Sequence, residues 1–301
     1  MSGLSHRRTF LKSSLALCSG VALKPWTTLG TENKRPGMKK ALMFGMVEGN
    51  ASLLEKFRML KEIGFDGVEM DSPGKFEVKE VLEARDATGL LIPGVVDSVH
   101  WKMTLSDPDP EVRAQGLDAL RTALRECKIY GGSSVLLVPA VVNQNVNYRD
   151  AYQRSQAEIR KAIPLAEELG IVIAIENVWN QFLLSPLEAA RYIDELNSPW
   201  VGWHLDIGNV INYGWPEQWV QILGKRIVKL HIKDYSRKKR DEEGLWAGFK
   251  VNLWEGDCDW PAVMKALDGV GYRGWGSAEL AGGGPEHLKD ISDRMNRIYN
   301  S

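Results

Sequence analysis

The chain has 301 residues, of which 44% are hydrophobic and 26% are charged. This composition is typical of a globular protein with a full core, and it excludes disordered, collagen-like and polytopic membrane classes. Because 38 basic residues nearly balance 39 acidic ones, the chain lacks the overall basic charge that favours a nucleic-acid partner.

Residues 1–36 differ from the remainder in charge. Six basic residues stand there against the single acid Glu32, which leaves 32 basic and 38 acidic residues for the rest of the chain. A charged region, a mildly apolar stretch at 13–23 and a polar exit follow one another, which is the order of an export signal. The apolar stretch is too short to cross a bilayer, so we expect no stable membrane span.

The basic region contains Arg-Arg-Thr-Phe-Leu-Lys at 7–12. It resembles a twin-arginine signal, which implies export of the folded protein to the periplasm. A lipoprotein anchor at Cys18 and a disordered basic tail are the less favoured alternatives. We therefore predict a leader and linker at 1–36 and one folded domain at 37–301.

Short apolar runs alternate with longer amphipathic segments along that domain. The runs predict strands at 41–48, 67–70, 90–96, 134–140, 171–177, 201–206, 227–233 and 275–280. The amphipathic segments predict helices at 51–63, 76–88, 110–130, 149–168, 185–196, 215–223, 260–269 and 285–299. Eight strand–helix units without a dividing linker predict an α/β fold, a single-domain (β/α)8 barrel, with an open doubly wound sheet as the alternative. The mixed-charge run 237–243 is predicted to be a solvated loop.

Polar side chains stand at the ends of the last four predicted strands, where such barrels place their functional groups. They are Glu176, Asp206, His231 and Glu279. Strand alternation directs all four inward, and three converging carboxylates would repel one another without a cation. Three oxygen donors and one imidazole therefore predict a divalent metal site, for which we expect Mn²⁺, with Mg²⁺, Co²⁺ and Zn²⁺ as alternatives.

Further inward or loop residues are candidates for contact with a substrate. His100 and Trp101 follow the third strand, His204 lies two residues before Asp206, and Lys233 lies two residues after His231. Structural roles are the alternatives for three of them: the histidines could form hydrogen bonds in the core, and Lys233 could form an ion pair. The chain has 11 tryptophans, and those in loops after strands three, five and seven could stack on a sugar: Trp101, Trp179, Trp246 and Trp254.

Several stretches together resemble the sugar phosphate isomerase/epimerase group of the xylose isomerase-like TIM barrels, which includes ketose 3-epimerases, hydroxypyruvate isomerase and endonuclease IV. They are Ile-Glu-Asn at 175–177, Leu-Asp-Ile-Gly-Asn at 205–209, Leu-His-Ile-Lys-Asp at 230–234, Ala-Glu-Leu at 278–280 and Gly-Phe-Asp-Gly-Val-Glu-Met at 64–70. The resemblance implies that the four strand-end residues bind the metal. It also implies that Glu176 and Glu279 are the acid/base pair, and that Arg237 binds substrate oxygens.

Two positions depart from the ketose 3-epimerase pattern. Phe182 stands where those enzymes have a substrate-binding glutamate, and Asn209 stands where they have a histidine. We favour a divalent-metal-dependent isomerase or epimerase that acts through an enediolate on an unphosphorylated keto-sugar or a related hydroxy-carbonyl compound. The alternative is a lyase or hydratase that acts on 3-keto-glycosides by α-proton abstraction and β-elimination.

Two further functions are less favoured. An AP endonuclease needs a histidine-rich trinuclear zinc site, and the chain has five histidines. A non-catalytic sugar-binding barrel would not need the acid/base pair that the resemblance implies. The expected partner is a small sugar, and assembly as a homo-oligomer is left open.

Overall fold

The computed structural model describes residues 35–301, so the predicted twin-arginine motif, the apolar stretch and Cys18 lie outside the described residues. Eight parallel strands pair in the order β1-β8-β7-β6-β5-β4-β3-β2. A parallel bridge between Met43 and Glu69 joins the chain after β1 to the chain before β2. The strands are β1 (Lys39–Leu42), β2 (Met70–Ser72), β3 (Gly94–Asp97), β4 (Ser134–Leu137), β5 (Val172–Glu176), β6 (Val201–Asp206), β7 (Ile227–Ile232) and β8 (Trp275–Ala278). The prediction of a (β/α)8 barrel is confirmed.

Helices connect the strands and cover the barrel. They are α1 (Leu53–Glu62), α2 (Val78–Thr88), α3 (Pro110–Tyr130), α4 (Tyr148–Leu169), α5 (Pro186–Leu196), α6 (Ile207–Ile211), α7 (Pro216–Leu223), α8 (Arg237–Glu243), α9 (Trp260–Gly269) and α10 (Pro285–Tyr299). Eight of them were predicted, and their ends follow the expected capping chemistry. Ser185 caps α5 by accepting a hydrogen bond from the Glu188 amide, and Gly131 ends α3 in the left-handed conformation. Within residues 35–301, no helix is long and apolar enough to cross a bilayer.

Helix α8 corrects one prediction, because residues 237–243 form a helix rather than a loop. The segment has no apolar periodicity, and none of its residues is buried. Its Arg, Lys and Glu residues favour helix intrinsically, and Ser236 caps the first turn by accepting a hydrogen bond from the Lys239 amide. The helix therefore forms from propensity and capping, which a search for apolar periodicity does not detect.

Several predicted strands extend beyond the observed ones at their carboxyl ends. The first was predicted to reach residue 48, but β1 ends at Leu42 and the chain then forms a short 3₁₀ turn at Phe44–Met46. Apolar residues continue past the last strand pairing because they are still buried: Phe44 and Met46 pack in the core, and the Phe44 ring contacts Phe57 of α1. Strands β1, β4, β5, β7 and β8 therefore end earlier than the apolar pattern indicates, whereas β2 and β3 end one or two residues later and β6 ends as predicted.

Candidate functional site

The four strand-end residues converge at the carboxyl end of the barrel. One ligand atom from each of Glu176, Asp206, His231 and Glu279 lies within 4.8 Å of the others. Nδ1 of His231 lies 2.8 Å from Oε1 of Glu176, 3.3 Å from Oε2 of Glu279 and 3.8 Å from Oδ2 of Asp206. The imidazole nitrogen is therefore surrounded by three carboxylates.

Sheet register explains the convergence. Asp206 and His231 are paired residues of β6 and β7, and Ser277 of β8 is paired with His231, two residues before Glu279. Asn177 fixes the end of β5 against β6, because its amide donates to the Asp206 carbonyl at 2.8 Å and its oxygen accepts from the Asp206 amide at 3.0 Å. Reading the sequence gave no role to Asn177, whose partner lies on a different strand.

Asp206 ends β6 and also caps α6. Its Oδ1 accepts a hydrogen bond from the Asn209 amide at 2.8 Å, whereas its Oδ2 is buried without a hydrogen-bond partner among the described residues and has an ion-pair contact at 3.5 Å with Nζ of Lys233. A buried carboxylate oxygen that accepts no hydrogen bond is costly in a folded protein. The cost disappears if the oxygen binds a cation, so the donor set fits a divalent ion held by Glu176, Asp206, His231 and Glu279.

Burial and neighbouring charges shift the pKa values of the side chains in this cluster. Burial raises the pKa of Asp206 to about 8, and the carboxylates of Glu279 and Glu176 add to that shift. Burial would lower the pKa of His231, but the same two glutamates raise it well above its usual value. Protons on His231 and Asp206 therefore neutralise part of the carboxylate charge. A bound metal ion would neutralise the same charge and replace these protons.

Lys233 lies beside the cluster, and its ammonium group contacts two of the carboxylates. Nζ lies 2.8 Å from Oε2 of Glu279 and 3.5 Å from Oδ2 of Asp206. Burial opposes the charge of Lys233, but Asp206 and Glu279 raise its pKa above the usual value. Of its two predicted roles, the structure shows the ion pair with site carboxylates.

A second layer of polar residues lies beneath the cluster. Oε2 of Glu69 is 3.2 Å from Nε2 of His231, on the side of the ring opposite Nδ1. The other oxygen of Glu69 pairs with Lys229, and both side chains are almost completely buried. A carboxylate in this position accepts the Nε2 proton and leaves Nδ1 facing the carboxylates, the arrangement that orients histidine ligands of metals.

His204 occupies the same deeper layer. Its ring centroid is 4.1 Å from that of His231, and both ring nitrogens are buried without a hydrogen-bond partner among the described residues. Burial lowers the pKa of His204 well below its usual value, so the ring is neutral. It packs under the cluster and does not line the cavity above it.

A cavity of about 390 Å³ opens above the cluster. Glu279 and Lys233 form its polar end, and aromatic rings form much of the remaining wall. Its principal lining residues are Trp101, Trp179, Asn209, Lys233, Trp246, Phe249 and Glu279. Phe249 was not predicted to line the site. It belongs to a 3₁₀ turn at 245–249, and its contact with Trp179 arises only in the folded chain.

Three other candidates have partners away from this cavity. The Arg237 guanidinium donates to the carbonyls of Ile211 and Gly214, each at 2.9 Å. Trp254 lies under the guanidinium of Arg297 at 4.2 Å from the ring centroid. Nδ1 of His100 accepts the Val138 amide hydrogen at 3.2 Å, and burial lowers the His100 pKa to about 4. The structure shows fold-stabilising contacts for all three.

Known proteins are similar to this chain in sequence. Two L-ribulose-5-phosphate 3-epimerases named UlaE are similar in sequence: that of Salmonella paratyphi A is 26% identical over 237 residues, covering 73% of this chain and 79% of its own. That of Shigella flexneri is 27% identical over 240 residues, with the same coverage.

Solved structures share the fold. The 3-keto-D-glucoside 4-epimerase YcjR from E. coli superposes with a TM-score of 0.72 at 21% identity, covering 88% of this chain and 100% of its own. The IOLI protein with a bound zinc atom gives a TM-score of 0.72 at 18% identity, covering 87% of this chain and 98% of its own. Residues 57–298 match the family described as xylose isomerase-like TIM barrel. The chain belongs to that family.

Proposed function

We propose that this protein is a divalent-metal-dependent epimerase or isomerase of an unphosphorylated keto-sugar. The observation that carries the proposal is the convergence of Glu176, Asp206, His231 and Glu279 within 4.8 Å, next to an aromatic cavity that Glu279 lines. The epimerase names of the UlaE and YcjR relatives support the reaction class. Mn²⁺ is the ion we expect, because oxygen donors outnumber the single nitrogen.

The two glutamates are the acid/base pair in this proposal. Glu176 ends β5 and Glu279 follows β8, with β6 and β7 between them, so the two carboxylates enter the cluster from different strands. One removes the proton on the carbon next to the ketone, and the other returns a proton to the opposite face of that carbon. The net result inverts one centre and leaves the composition of the sugar unchanged.

Other residues hold the reacting groups in place. Lys233 contributes a positive charge next to Glu279 at the cavity wall, and Glu69 fixes the ring of His231. When bound, the divalent ion supplies positive charge that stabilises the oxyanion developing on the sugar. The aromatic walls limit the access of water to the cavity floor.

Elimination remains the second candidate, and one observation favours it. Phe182, which replaces the substrate-binding glutamate of ketose 3-epimerases, is buried against the rings of Tyr148 and Tyr192. No carboxylate at this position can therefore fix a free ketose. In elimination the same α-proton passes to a glutamate, the β carbon–oxygen bond breaks with its electron pair, and the leaving oxygen takes up a proton.

Incubation of the Mn²⁺-loaded protein in D₂O with free ketoses and 3-keto-glycosides tests the proposal. Epimerisation or isomerisation predicts deuterium in a recovered sugar, whereas elimination predicts release of the aglycone. Glu279→Gln should abolish both, while Mn²⁺ binding is retained because the amide oxygen can still act as a ligand. Absence of exchange on every sugar, with metal bound, would refute the enediolate chemistry.

We also propose that the protein is exported in its folded state. The support is the Arg-Arg-Thr-Phe-Leu-Lys sequence at 7–12 and the basic charge of residues 1–36. Export of a folded chain would deliver an assembled metal site to the periplasm, where phosphorylated sugars are not the expected substrates. Cell fractionation of the tagged full chain tests this proposal.

A further inference from the structure

The cavity above the acid cluster contains little positive charge. Lys233 is the one cationic side chain among the described residues that line it. Its ammonium group is already paired with Glu279 and Asp206. A phosphate group would therefore enter next to carboxylates without a free cation to pair with, which is unfavourable.

Beyond Lys233 the wall is aromatic. We define the aromatic platform as Trp179, Trp246 and Phe249. Nζ of Lys233 lies 4.6 Å from the centroid of the Phe249 ring. The Trp179 centroid lies 4.8 Å from that of Phe249 and 4.9 Å from that of Trp246. The platform thus begins beside the acid cluster and continues without a break away from it.

Two tryptophans of the cavity wall, one of them in the platform, reach solvent. Trp246 is 67% exposed and Trp101 is 51% exposed, and both line the cavity. Trp179 is held in place because its Nε1 donates to the Asn209 carbonyl at 3.0 Å. Exposed indoles at the mouth of a cavity, positioned by a fixed ring behind them, are typical of a ligand site and not of a core.

We propose that the substrate is a keto-glycoside, in which the reacting keto-sugar remains linked through its anomeric oxygen to a second ring that stacks on the aromatic platform. This inference rests on the proposed function, which places the reacting sugar beside Glu279. The rings of Phe249 and Trp246 lie 6.3 Å apart between centroids, with their planes 36° from parallel, so a ligand that covers both rings has to extend past the sugar held beside Glu279. A second sugar or an aromatic aglycone offers the apolar face that indole rings contact.

Matched substrates test the inference. The deuterium-exchange assay is run on the 3-keto derivatives of methyl β-glucoside, 4-nitrophenyl β-glucoside and a β-linked glucose disaccharide. We expect kcat/KM for at least one of the two extended substrates to exceed that for the methyl glycoside by about tenfold or more. A higher kcat/KM for the 4-nitrophenyl substrate identifies the second ring as aromatic, and a higher kcat/KM for the disaccharide identifies it as a sugar.

Two substitutions test whether the aromatic platform causes the preference for extended substrates. Trp246→Ala should lower the ratio of kcat/KM between extended and methyl substrates by about tenfold. Trp215→Ala is the matched control, since Trp215 is 56% exposed but does not line the cavity, and it should leave that ratio unchanged. A ratio near one in the unmodified protein, or an unchanged ratio in Trp246→Ala, overturns the inference.

A binding measurement separates this inference from the proposed function. 4-Nitrophenyl β-glucoside has no ketone and cannot react, so titration calorimetry with the Mn²⁺-loaded protein reports the platform alone. We expect it to bind about tenfold more tightly than methyl β-glucoside, and Trp246→Ala to remove the difference. Exchange without a platform preference refutes the inference only, whereas platform binding without exchange on any substrate refutes the proposed function only.

Discussion

Replacement of Glu69 by glutamine tests whether Glu69 positions His231 in the proposed metal site. Oε2 of Glu69 lies 3.2 Å from Nε2 of His231, and the other oxygen pairs with Lys229. The substitution keeps the shape of the side chain but removes the carboxylate charge. It therefore weakens the contact with His231 and leaves the Lys229 ammonium buried without its counterion.

The structure allows two separate effects of the substitution to be estimated, one on the free energy of unfolding and one on the affinity for metal. The Lys229 side chain is 3% exposed, so removal of its partner should lower the free energy of unfolding of the metal-free protein by about 3–5 kcal/mol. Loss of an outer partner of a histidine ligand reduces metal affinity by about 10- to 100-fold. We expect the lower end of that range, because the glutamine oxygen can still accept the Nε2 proton.

The double variant Glu69→Gln/Lys229→Met separates the two effects. It removes both buried charges, so the free energy of unfolding should recover to within about 1 kcal/mol of the unmodified protein. The Mn²⁺ affinity should remain about tenfold lower, because His231 still lacks its carboxylate partner. Urea unfolding of the metal-free proteins measures the first quantity, and competition with a fluorescent chelator measures the second.

Mn²⁺ affinity within about twofold of the unmodified protein in both variants would refute the positioning role of Glu69. Recovery of affinity together with stability in the double variant would also contradict it. In that case the single substitution would have acted only through the unpaired lysine.

Further predictions concern residues outside the metal ligands. Arg237→Met should lower the free energy of unfolding by about 1–2 kcal/mol, because the carbonyls of Ile211 and Gly214 lose their donor; a large rise in KM with unchanged stability would restore its substrate role. Burial lowers the His100 pKa from 6.5 to about 4, so the neutral ring stabilises the fold fully above pH 6.5 and this contribution disappears as the pH falls towards 4. His100→Asn keeps an acceptor for the Val138 amide, and urea unfolding should show an acid-dependent loss smaller by up to about 3 kcal/mol; an identical pH profile would contradict the assignment. Replacement of Arg7 and Arg8 by lysine should retain the protein in the cytoplasmic fraction, and unchanged periplasmic accumulation would exclude the twin-arginine route.

The sequence was sufficient to predict the barrel and the convergence at its mouth. Strand period and the position of strand ends are local properties, so Glu176, Asp206, His231 and Glu279 could be placed on one rim without a structure. The eight amphipathic helices were found for the same reason. Helix α8 was missed because its stability comes from propensity and the Ser236 cap, not from an apolar face.

Contacts between distant elements could not be predicted in this way. Glu69 contacts His231, which lies 162 positions away in the chain, so no local pattern indicates this contact. Arg237 and Trp254 lie after β7 in the sequence, where substrate contacts are expected, yet the carbonyls of Ile211 and Gly214 hold Arg237 and the guanidinium of Arg297 packs on Trp254. Side-chain direction in loops depends on such partners, which neither spacing nor family resemblance specifies.

The four donors of the proposed metal site stand at or just after the carboxyl ends of β5 to β8. The full donor set therefore cannot form before Glu279 has been made and β8 has joined the sheet. If the barrel closes before export, as we propose, the ion is selected from the cytoplasmic metal pool and not from the more variable surroundings outside. Metal identity would then be decided by where the chain folds rather than by where it works.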